Sequence, residues 1–138
     1  TEAAAGSTRP PRVSASTAMP ISNYMHGLRE KIGHALVEIP SVAVLAFDEQ
    51  QRVALVHHAE VDAWTVPGGA MEPCEVPADA AVREMWEETG LDVELLRVIG
   101  VYGGSEFVTT YENGDRVAFA MIVFEAKVCG GRLRPDGE

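Results

Sequence analysis

The sequence predicts a single α+β or mixed α/β domain, in which strands surround one dominant helix. Its 138 residues suit one domain. Several β-branched runs of strand length are separated by turn-forming residues, and the strongest amphipathic pattern lies between residues 76 and 90. No internal repeat is found. These observations favour one core built from a sheet and a helix.

Composition and charge exclude several functional classes. The net charge of −10 argues against bulk electrostatic binding to nucleic acid or to an anionic membrane. No apolar run approaches the roughly 20 residues of a membrane span. The two cysteines, Cys74 and Cys129, form no CxxC pattern, which fits a reducing cytoplasm. Because the chain is acidic, an anionic substrate would need a metal ion or basic side chains placed at its site.

The N-terminal part of the chain divides into an arm and a short helix. Residues 1–20 are small, polar and proline-containing, and we interpret them as a disordered arm or an expression remnant ahead of a domain at residues 21–138. A helix is expected from Ser22 to Gly33, with apolar residues at helical spacing. Arg29 and Lys31 are expected to be solvated.

Two strands should follow this helix. Ser41–Phe47 is typical of a buried strand, and Arg52–His58 is expected to return beside it as a hairpin. His57 and His58 end the second strand on opposite faces, so they cannot easily share a metal. We expect one of them to lie near a pocket, and His57 is a candidate for substrate contact.

The second half of the chain contains three further predicted strands. They are Asp92–Gly100, Ser105–Thr110 and Arg116–Lys127. Asn113-Gly114 lies between the last two, and this dipeptide is the strongest short signal for a hairpin.

The central helix carries the chemistry. It should begin near Val76 or Pro77, because proline is favoured at the first helical position, and Gly90 can end it in the left-handed conformation. Its core stripe is predicted to consist of Ala78, Val82, Met85, Trp86 and Thr89. Three glutamates, Glu84, Glu87 and Glu88, are expected on a different face.

These three glutamates follow an i, i+3, i+4 pattern, so their charges repel one another. A solvated acidic face would explain the glutamates alone. The alternative is that they bind a hard divalent cation, since Mg²⁺ takes carboxylate and water oxygens and shares its coordination with substrate phosphates.

The longer pattern around the glutamates favours the metal site. Gly69, Glu75 and the run Arg83-Glu84-Met85-Trp86-Glu87-Glu88-Thr89-Gly90-Leu91 match the Nudix box in residue type and spacing. The lead-in Trp64–Gly69 also resembles that family, and the strand pattern is compatible with it from Ser41 to about Leu133. The resemblance implies a three-layer α/β/α fold with a mixed sheet. It also implies hydrolysis, dependent on Mg²⁺ or Mn²⁺, of a nucleoside diphosphate linked to another group.

The resemblance also implies roles for individual residues. Glu84, Glu87 and Glu88 correspond to the family's metal ligands, and the carbonyl of Gly68 adds a ligand. Arg83 and Glu75 hold the glutamates in place. The expected catalytic set is therefore Glu75, Arg83, Glu84, Glu87 and Glu88.

Two positions depart from the family pattern. Cys74 stands where relatives usually have glycine, and Val76 replaces the usual Ser or Thr cap of the helix. Neither change removes an expected metal ligand. Relatives also usually continue into a C-terminal helix, which this chain does not show before Glu138.

The general base and the substrate contacts stay open. The base candidates are Glu84, Glu88, Glu106, Glu112 and Asp115, and we favour a glutamate of the box. Tyr102, Phe107 and Tyr111 could stack on a base. The expected substrate contacts are His57, Tyr102 and Glu106.

The expected partner is a nucleotide, either a nucleoside triphosphate or an ADP-ribose-like diphosphate, and a homodimer is compatible with the sequence. A Nudix-fold sensor that binds such a ligand without cleaving it is the main alternative. Hydrolysis of an RNA cap is disfavoured by the acidity of the chain.

Overall fold

The computed structural model describes residues 13–14, 22–59 and 62–134, and two helices, eight strands and one 3₁₀ turn lie in these ranges. The strands are β1 (Val13–Ser14), β2 (Val37–Phe47), β3 (Val56–His58), β4 (Ala63–Thr65), β5 (Gly68–Ala70), β6 (Leu91–Tyr102), β7 (Val108–Thr110) and β8 (Arg116–Gly131). The helices are α1 (Asn23–Ile32) and α2 (Pro77–Thr89), and the 3₁₀ turn is Ser105–Phe107.

The main sheet has five strands in the order β5-β2-β8-β6, with β7 paired to β8. Strands β2 and β8 run parallel, whereas the other pairs are antiparallel. The predicted mixed α+β fold with a mixed sheet is therefore confirmed. Strands β2, β6 and β8 extend beyond their predicted ranges, because β8 pairs with β2 on one side and with β6 on the other over most of its length.

Helix α2 packs on one face of this sheet and closes the core. The buried core consists of Val42, Val44, Ala46, Ala80, Ala81, Met85, Leu91, Val93, Phe124 and Ala126. The predicted bounds of α2 are confirmed, but its predicted core stripe is only partly correct. Met85 and Thr89 are fully buried, whereas Val82 and Trp86 are 40% and 52% exposed.

The inward face of α2 differs from the predicted one because small side chains allow the helix to approach the sheet. Ala80 and Ala81 are completely buried against it. This rotation turns Glu84 inward, where its side chain is only 1% exposed. The expectation that the glutamates stand on a face separate from the core is therefore wrong for Glu84.

A smaller sheet contains β1, β3 and β4. The predicted hairpin of Ser41–Phe47 with Arg52–His58 is correct only at its turn, where the Gln51 N–H donates to the Asp48 carbonyl at 3.0 Å. Beyond one bridge, between Phe47 and Val53, the chain leaves β2, and β3 pairs with β4 instead.

Helix α1 begins at the predicted cap, where Ser22 Oγ accepts the Met25 N–H at 3.2 Å. None of its residues is buried. The expectation that Arg29 is solvated is wrong, because its side chain is 11% exposed and donates to the carbonyls of Gly33, Ala35 and Arg116. Arg29 thus ties α1 to the start of β8.

The prediction for residues 1–20 falls outside the described residues, except that β1 pairs in parallel with β3. Neither α1 nor α2 has the length and apolarity that a helical membrane span requires.

The hairpin at Asn113-Gly114 is confirmed, since β7 and β8 pair in antiparallel register on either side of it. Gly114 takes a φ of 92°, which suits glycine at this turn. The predicted strand Ser105–Thr110 begins as a 3₁₀ turn, and only its second half pairs with β8.

Candidate active site

The segment Pro67-Gly68-Gly69, called the Pro-Gly-Gly segment below, lies in close contact with strand β2 and with the Glu84 side chain. Gly68 and Gly69 open β5, which pairs with β2 at Ala43 and Val42. A Cβ atom on Gly68 would collide with the carbonyl of Val42, and one on Gly69 would lie 2.7 Å from the Glu84 carboxyl carbon. The two glycines are therefore needed because β5 is sandwiched between β2 and the Glu84 carboxylate.

Arg83 connects the acidic side chains. Its Nε and Nη2 donate to the two carboxylate oxygens of Glu75 at 2.7 and 2.9 Å, which is a bidentate ion pair. Its Nη1 donates to Glu84 Oε1 at 2.8 Å and to Glu87 Oε2 at 3.1 Å. Nη2 also reaches the carbonyl of Ala70, at 3.2 Å. One guanidinium thus fixes three glutamates relative to the end of β5.

Glu75 is a firm anchor for this guanidinium. Hydrogen bonds from Arg83 hold the pKa of the Glu75 carboxyl below its usual range, and a bond from the Glu72 N–H adds to the effect. The carboxylate therefore stays charged at neutral pH, and it holds the Arg83 guanidinium beside the Glu84 and Glu87 carboxylates.

Glu84 is a buried carboxylate with incomplete hydrogen bonding. Its Oε1 accepts from Arg83, but its Oε2 is buried and has no hydrogen-bond partner among the described residues. Burial raises the pKa of Glu84, and the Arg83 guanidinium offsets part of that rise. A buried oxygen without a partner costs free energy, and a bound cation, or the proton of a protonated Glu88, would offset that cost.

Glu88 lies one turn further along α2 and faces the same side. Burial raises its pKa to about 8, and the nearby charge of Glu84 adds to the rise, whereas the Gly68 N–H opposes it. Glu87 has a different environment, because its side chain is 51% exposed and pairs with Arg83.

These glutamates could bind a divalent cation, but their side chains are not arranged as a complete coordination site. In the part of the chain that the structure describes, no three His, Cys, Asp or Glu side chains are grouped closely enough to hold a metal. The partnerless Oε2 of Glu84, and the mutual repulsion of Glu84 and Glu88, fit a hard cation that takes carboxylate oxygens.

The start of α2 shows the physical effect of the two departures from the family pattern. Cys74 takes a φ of 64°, a left-handed conformation that favours glycine. Val76 is the N-cap and makes no side-chain hydrogen bond. The helix still starts at Pro77, as predicted, and Asp79 lies in its first turn.

The candidate substrate contacts are spread over the molecule. The sheet register aligns Ala70 with Ser41, Met121 and Tyr102. Tyr102 is therefore level with the end of the Pro-Gly-Gly segment, three strand spacings or roughly 14 Å away. It is 47% exposed, and its ring centroid lies 6.5 Å from that of Phe107.

The other two candidate contacts lie in different surroundings. His57 belongs to the small sheet, where its Nε2 lies 2.8 Å from Asp62 Oδ1 and its ring packs on Trp64. Glu106 lies in the 3₁₀ turn that follows Tyr102. A substrate role for each of the three residues stays a prediction.

Among the candidate bases, Asp115 is already engaged. Its Oδ1 lies 2.7 Å from His34 Nδ1, and its Oδ2 lies 3.6 Å from Arg29 Nε. The hydrogen bond with His34 is the main cause that lowers the pKa of Asp115. This residue therefore has a structural task in the hairpin turn, which weakens it as a candidate for the base.

Arg134 was not indicated by any motif in the sequence. Its guanidinium lies over the Trp86 ring, 4.4 Å from the centroid, and donates to the Trp86 carbonyl. Only the folded chain brings it to the end of α2, 47 residues away from Glu87 in the sequence.

Comparison with known proteins gives consistent matches. A family model described as the NUDIX domain matches residues 37–138. A Bacillus subtilis (strain 168) protein, provisionally named an 8-oxo-dGTP diphosphatase, is 35% identical over 94 residues, which cover 68% of this chain and 56% of that protein. The human diphosphoinositol polyphosphate phosphohydrolase 2 is 45% identical over 70 residues, covering 50% of this chain and 34% of that protein.

A solved structure has the same fold. It is an ADP-ribose pyrophosphatase from Streptococcus suis 89-1591, with a TM-score of 0.56 and 24% identity, covering 72% of this chain and 67% of that one. The chain spans little more than half the length of the Bacillus relative and a third of the human one. The family match begins after α1, so α1 lies outside the matched residues.

Proposed function

The chain belongs to the Nudix family, and on that basis we propose that it is a hydrolase that cleaves a diphosphate bond in a nucleotide, with Mg²⁺ or Mn²⁺ as its metal. The observation that carries this proposal is the arrangement of Glu84. Its carboxylate is buried between Gly69 and α2, is held by Arg83 on one oxygen and has no partner on the other. A metal ion would satisfy that second oxygen.

The residues that would hold the metal are Glu84, Glu87, Glu88 and the carbonyl of Gly68. When bound, the metal would neutralise the diphosphate and the charge that develops on its oxygens. Arg83 and Glu75 are proposed as positioning residues, because the bidentate pair between them fixes the guanidinium that contacts Glu84 and Glu87.

Glu84 and Glu88 are the favoured candidates for the general base. Both are carboxyl groups whose pKa is raised by burial, so each holds a proton more tightly than an exposed glutamate does. Their place beside the Gly68 backbone puts this proton affinity where the metal is proposed to bind.

We propose a nucleotide as substrate, either a nucleoside triphosphate or an ADP-ribose-like diphosphate. The relatives are named for an oxidised nucleotide, for a diphosphoinositol polyphosphate and, among solved structures, for ADP-ribose. The net charge of −10 disfavours the inositol compound, because its many phosphates would need several basic side chains. Arg83 is already engaged by glutamates. Tyr102 and Phe107 are the proposed contacts for a base, and His57 and Glu106 are weaker candidates.

A binding module without activity is the alternative from a different class. A sensor would bind the nucleotide but would not need a buried, strongly perturbed pair of carboxyl groups next to the phosphates. The retention of Glu84, Glu87, Glu88 and Arg83 therefore favours the enzyme.

We further propose that the domain extends from about residue 21, since Arg29 ties α1 to β8. The free, exposed Cys74 and Cys129 are compatible with a cytoplasmic location. A homodimer is a proposal that a molecular-mass measurement in solution would test.

A nucleotide panel tests the proposed function. The purified chain, incubated with Mg²⁺ or Mn²⁺, is expected to release nucleoside monophosphate or phosphate from at least one nucleoside triphosphate or diphosphate-linked nucleotide. Glu87→Gln and Glu88→Gln are each expected to reduce kcat by at least about 100-fold. Glu94→Gln, on the exposed side of β6, is the matched control and should keep normal turnover. Binding of nucleotides without turnover on any of them would establish the sensor instead.

A further inference from the structure

The C-terminal end of α2 is held by a segment that follows β8. An α-helix leaves its last four carbonyls without partners inside the helix. Here the Arg134 N–H donates to the Thr89 carbonyl at 3.0 Å, and Nη2 of the same residue donates to Trp86 and lies 3.4 Å from the Glu87 carbonyl. Arg134 thus contacts three of the last four carbonyls of α2.

Two glycines, Gly90 and Gly131, allow the segment Arg132–Arg134 to approach the C-terminal end of α2. Gly90 has a φ of 77°, and a Cβ there would lie 2.9 Å from Cγ and Nε of Arg134. Gly131, also at a φ of 77°, would collide with the carbonyl of Gly90 if it carried a Cβ. The Arg132 N–H then donates to the Gly90 carbonyl at 3.2 Å. The segment Arg132–Arg134 is therefore docked by its backbone, and the Arg134 guanidinium is delivered to the helix end.

Arg134 also places a positive charge at the C-terminal end of α2. The C-terminus of a helix carries partial negative charge, which adds to the repulsion among the glutamates in its last turns. Residues 87–89, the last turn of α2, include no basic residue of their own. The guanidinium stacks on Trp86, so it is restricted by the ring on one side and by the carbonyls on the other.

We propose that Arg134 is a positioning residue for the metal site. By holding the last turn of α2, it fixes the backbone from which Glu87 and Glu88 project. The inference rests on the proposed function for the role of those glutamates, whereas the restraint on the helix end is independent of it. Arg134 touches neither the glutamate carboxylates nor the place proposed for the phosphates, so it acts through the helix.

The test compares Arg134→Ala with Arg132→Ala in the full chain. Arg132 is the matched control, because its described hydrogen bond uses the backbone N–H, which alanine keeps. Three quantities are measured: amide hydrogen exchange in residues 84–92, Mn²⁺ affinity by calorimetric titration, and kcat and KM for the best nucleotide of the panel. Arg134→Lys is measured alongside, since lysine keeps the charge but not the planar fork.

For Arg134→Ala we expect exchange in residues 84–92 to rise by about 10-fold or more. Mn²⁺ affinity should fall by roughly 5–10-fold, and kcat by about 10-fold with KM changed less than about 2-fold. Arg134→Lys should give values of exchange, Mn²⁺ affinity and kcat between those of the wild type and Arg134→Ala. If the alanine variant does not fold, the same three quantities are measured on Arg134→Lys at reduced temperature. Arg132→Ala should match the wild type.

Unchanged exchange and Mn²⁺ affinity in Arg134→Ala would overturn the inference, as would a loss of global stability with kcat and Mn²⁺ affinity intact below the unfolding temperature. A wild-type chain that binds Mn²⁺ but cleaves no nucleotide would overturn the proposed function, while exchange and titration would still decide the role of Arg134. A wild-type chain that binds no Mn²⁺ would overturn both.

Discussion

Glu84 and Glu88 lie one helical turn apart on the side of α2 that faces Gly68 and Gly69. Burial favours the protonated form of both carboxyl groups, and the charge of Glu84 adds to the rise that takes the pKa of Glu88 to about 8. Helical spacing alone places them near each other, but it does not indicate that they are buried. The sequence therefore identified the pair, whereas the energetic cost of ionising them arises from the packing of α2 against β5.

This cost predicts an unusual pH dependence of stability in the presence of a metal chelator. A carboxyl group whose pKa is higher in the folded state stabilises the fold fully below its unfolded pKa, and the stabilisation is lost as pH rises through the folded pKa. We expect the free energy of unfolding to decrease by on the order of 2–4 kcal/mol as pH rises from about 4.5 to 8. Denaturant titrations in EDTA across this range would measure it.

The Glu88→Gln variant is the control for this titration. Glutamine cannot ionise, so most of the decline between pH 4.5 and 8 should disappear, and the variant should be more stable than the wild type at pH 8 in EDTA. A decline of the same size in the variant would show that Glu88 is not its source. Glu75 acts in the opposite direction below about pH 4.5, because its pKa is lowered and its stabilisation is lost as pH falls.

Cys74 gives a second prediction at the residue scale. Its φ of 64° costs a residue with a Cβ about 1–2 kcal/mol, whereas glycine pays about 0.5–1 kcal/mol in lost chain entropy. Cys74→Gly should therefore stabilise the chain by about 0.5–1 kcal/mol, measured by denaturant unfolding. The comparison is Cys129→Gly in strand β8, where glycine should destabilise by a similar amount. Destabilisation by both changes would contradict the strain at Cys74.

At the scale of the element, both ends of α2 could be predicted from local chemistry. Pro77 and Gly90 mark them, and the structure has the helix at Pro77–Thr89. The face of α2 that turns inward could not be predicted from the positions of its large apolar residues. Ala80 and Ala81 allow closer contact with the sheet than Val82 and Trp86 would, and the interior between helix and sheet can then pack without voids.

The uncapped start of α2 can be improved. Val76 has an extended conformation, with φ of −71° and ψ of 134°, that suits a capping residue, and it is 56% exposed. Val76→Ser should stabilise the chain by about 1 kcal/mol, because the serine hydroxyl can accept a free N–H of the first turn. The change in unfolding free energy is the measurement. Val82→Ser, in the middle of the helix and 40% exposed, should give no gain.

At the scale of the whole molecule, α1 is attached chiefly through one side chain. No residue of α1 is buried, whereas Arg29 contacts three backbone carbonyls and Asp115. Arg29→Ala should therefore raise amide exchange throughout residues 23–32 while leaving α2 nearly unchanged. Lys31→Ala, an exposed position on the same helix, is the matched control. Equal protection of α1 in the wild type and Arg29→Ala would show that other contacts hold it.

Local sequence patterns were sufficient to predict the family, the mixed α+β class, the span of α2, the hairpin at Asn113-Gly114 and the candidate glutamates. Each depends on local spacing or on turn and capping chemistry, which act between residues close in the chain. The tertiary structure decided which face of α2 turns inward, that β3 leaves β2 for β4, and that Arg29 and Arg134 restrain helices from a distance. These features depend on contacts between residues far apart in sequence, and such contacts are selected by the packing of the whole core rather than by any local pattern.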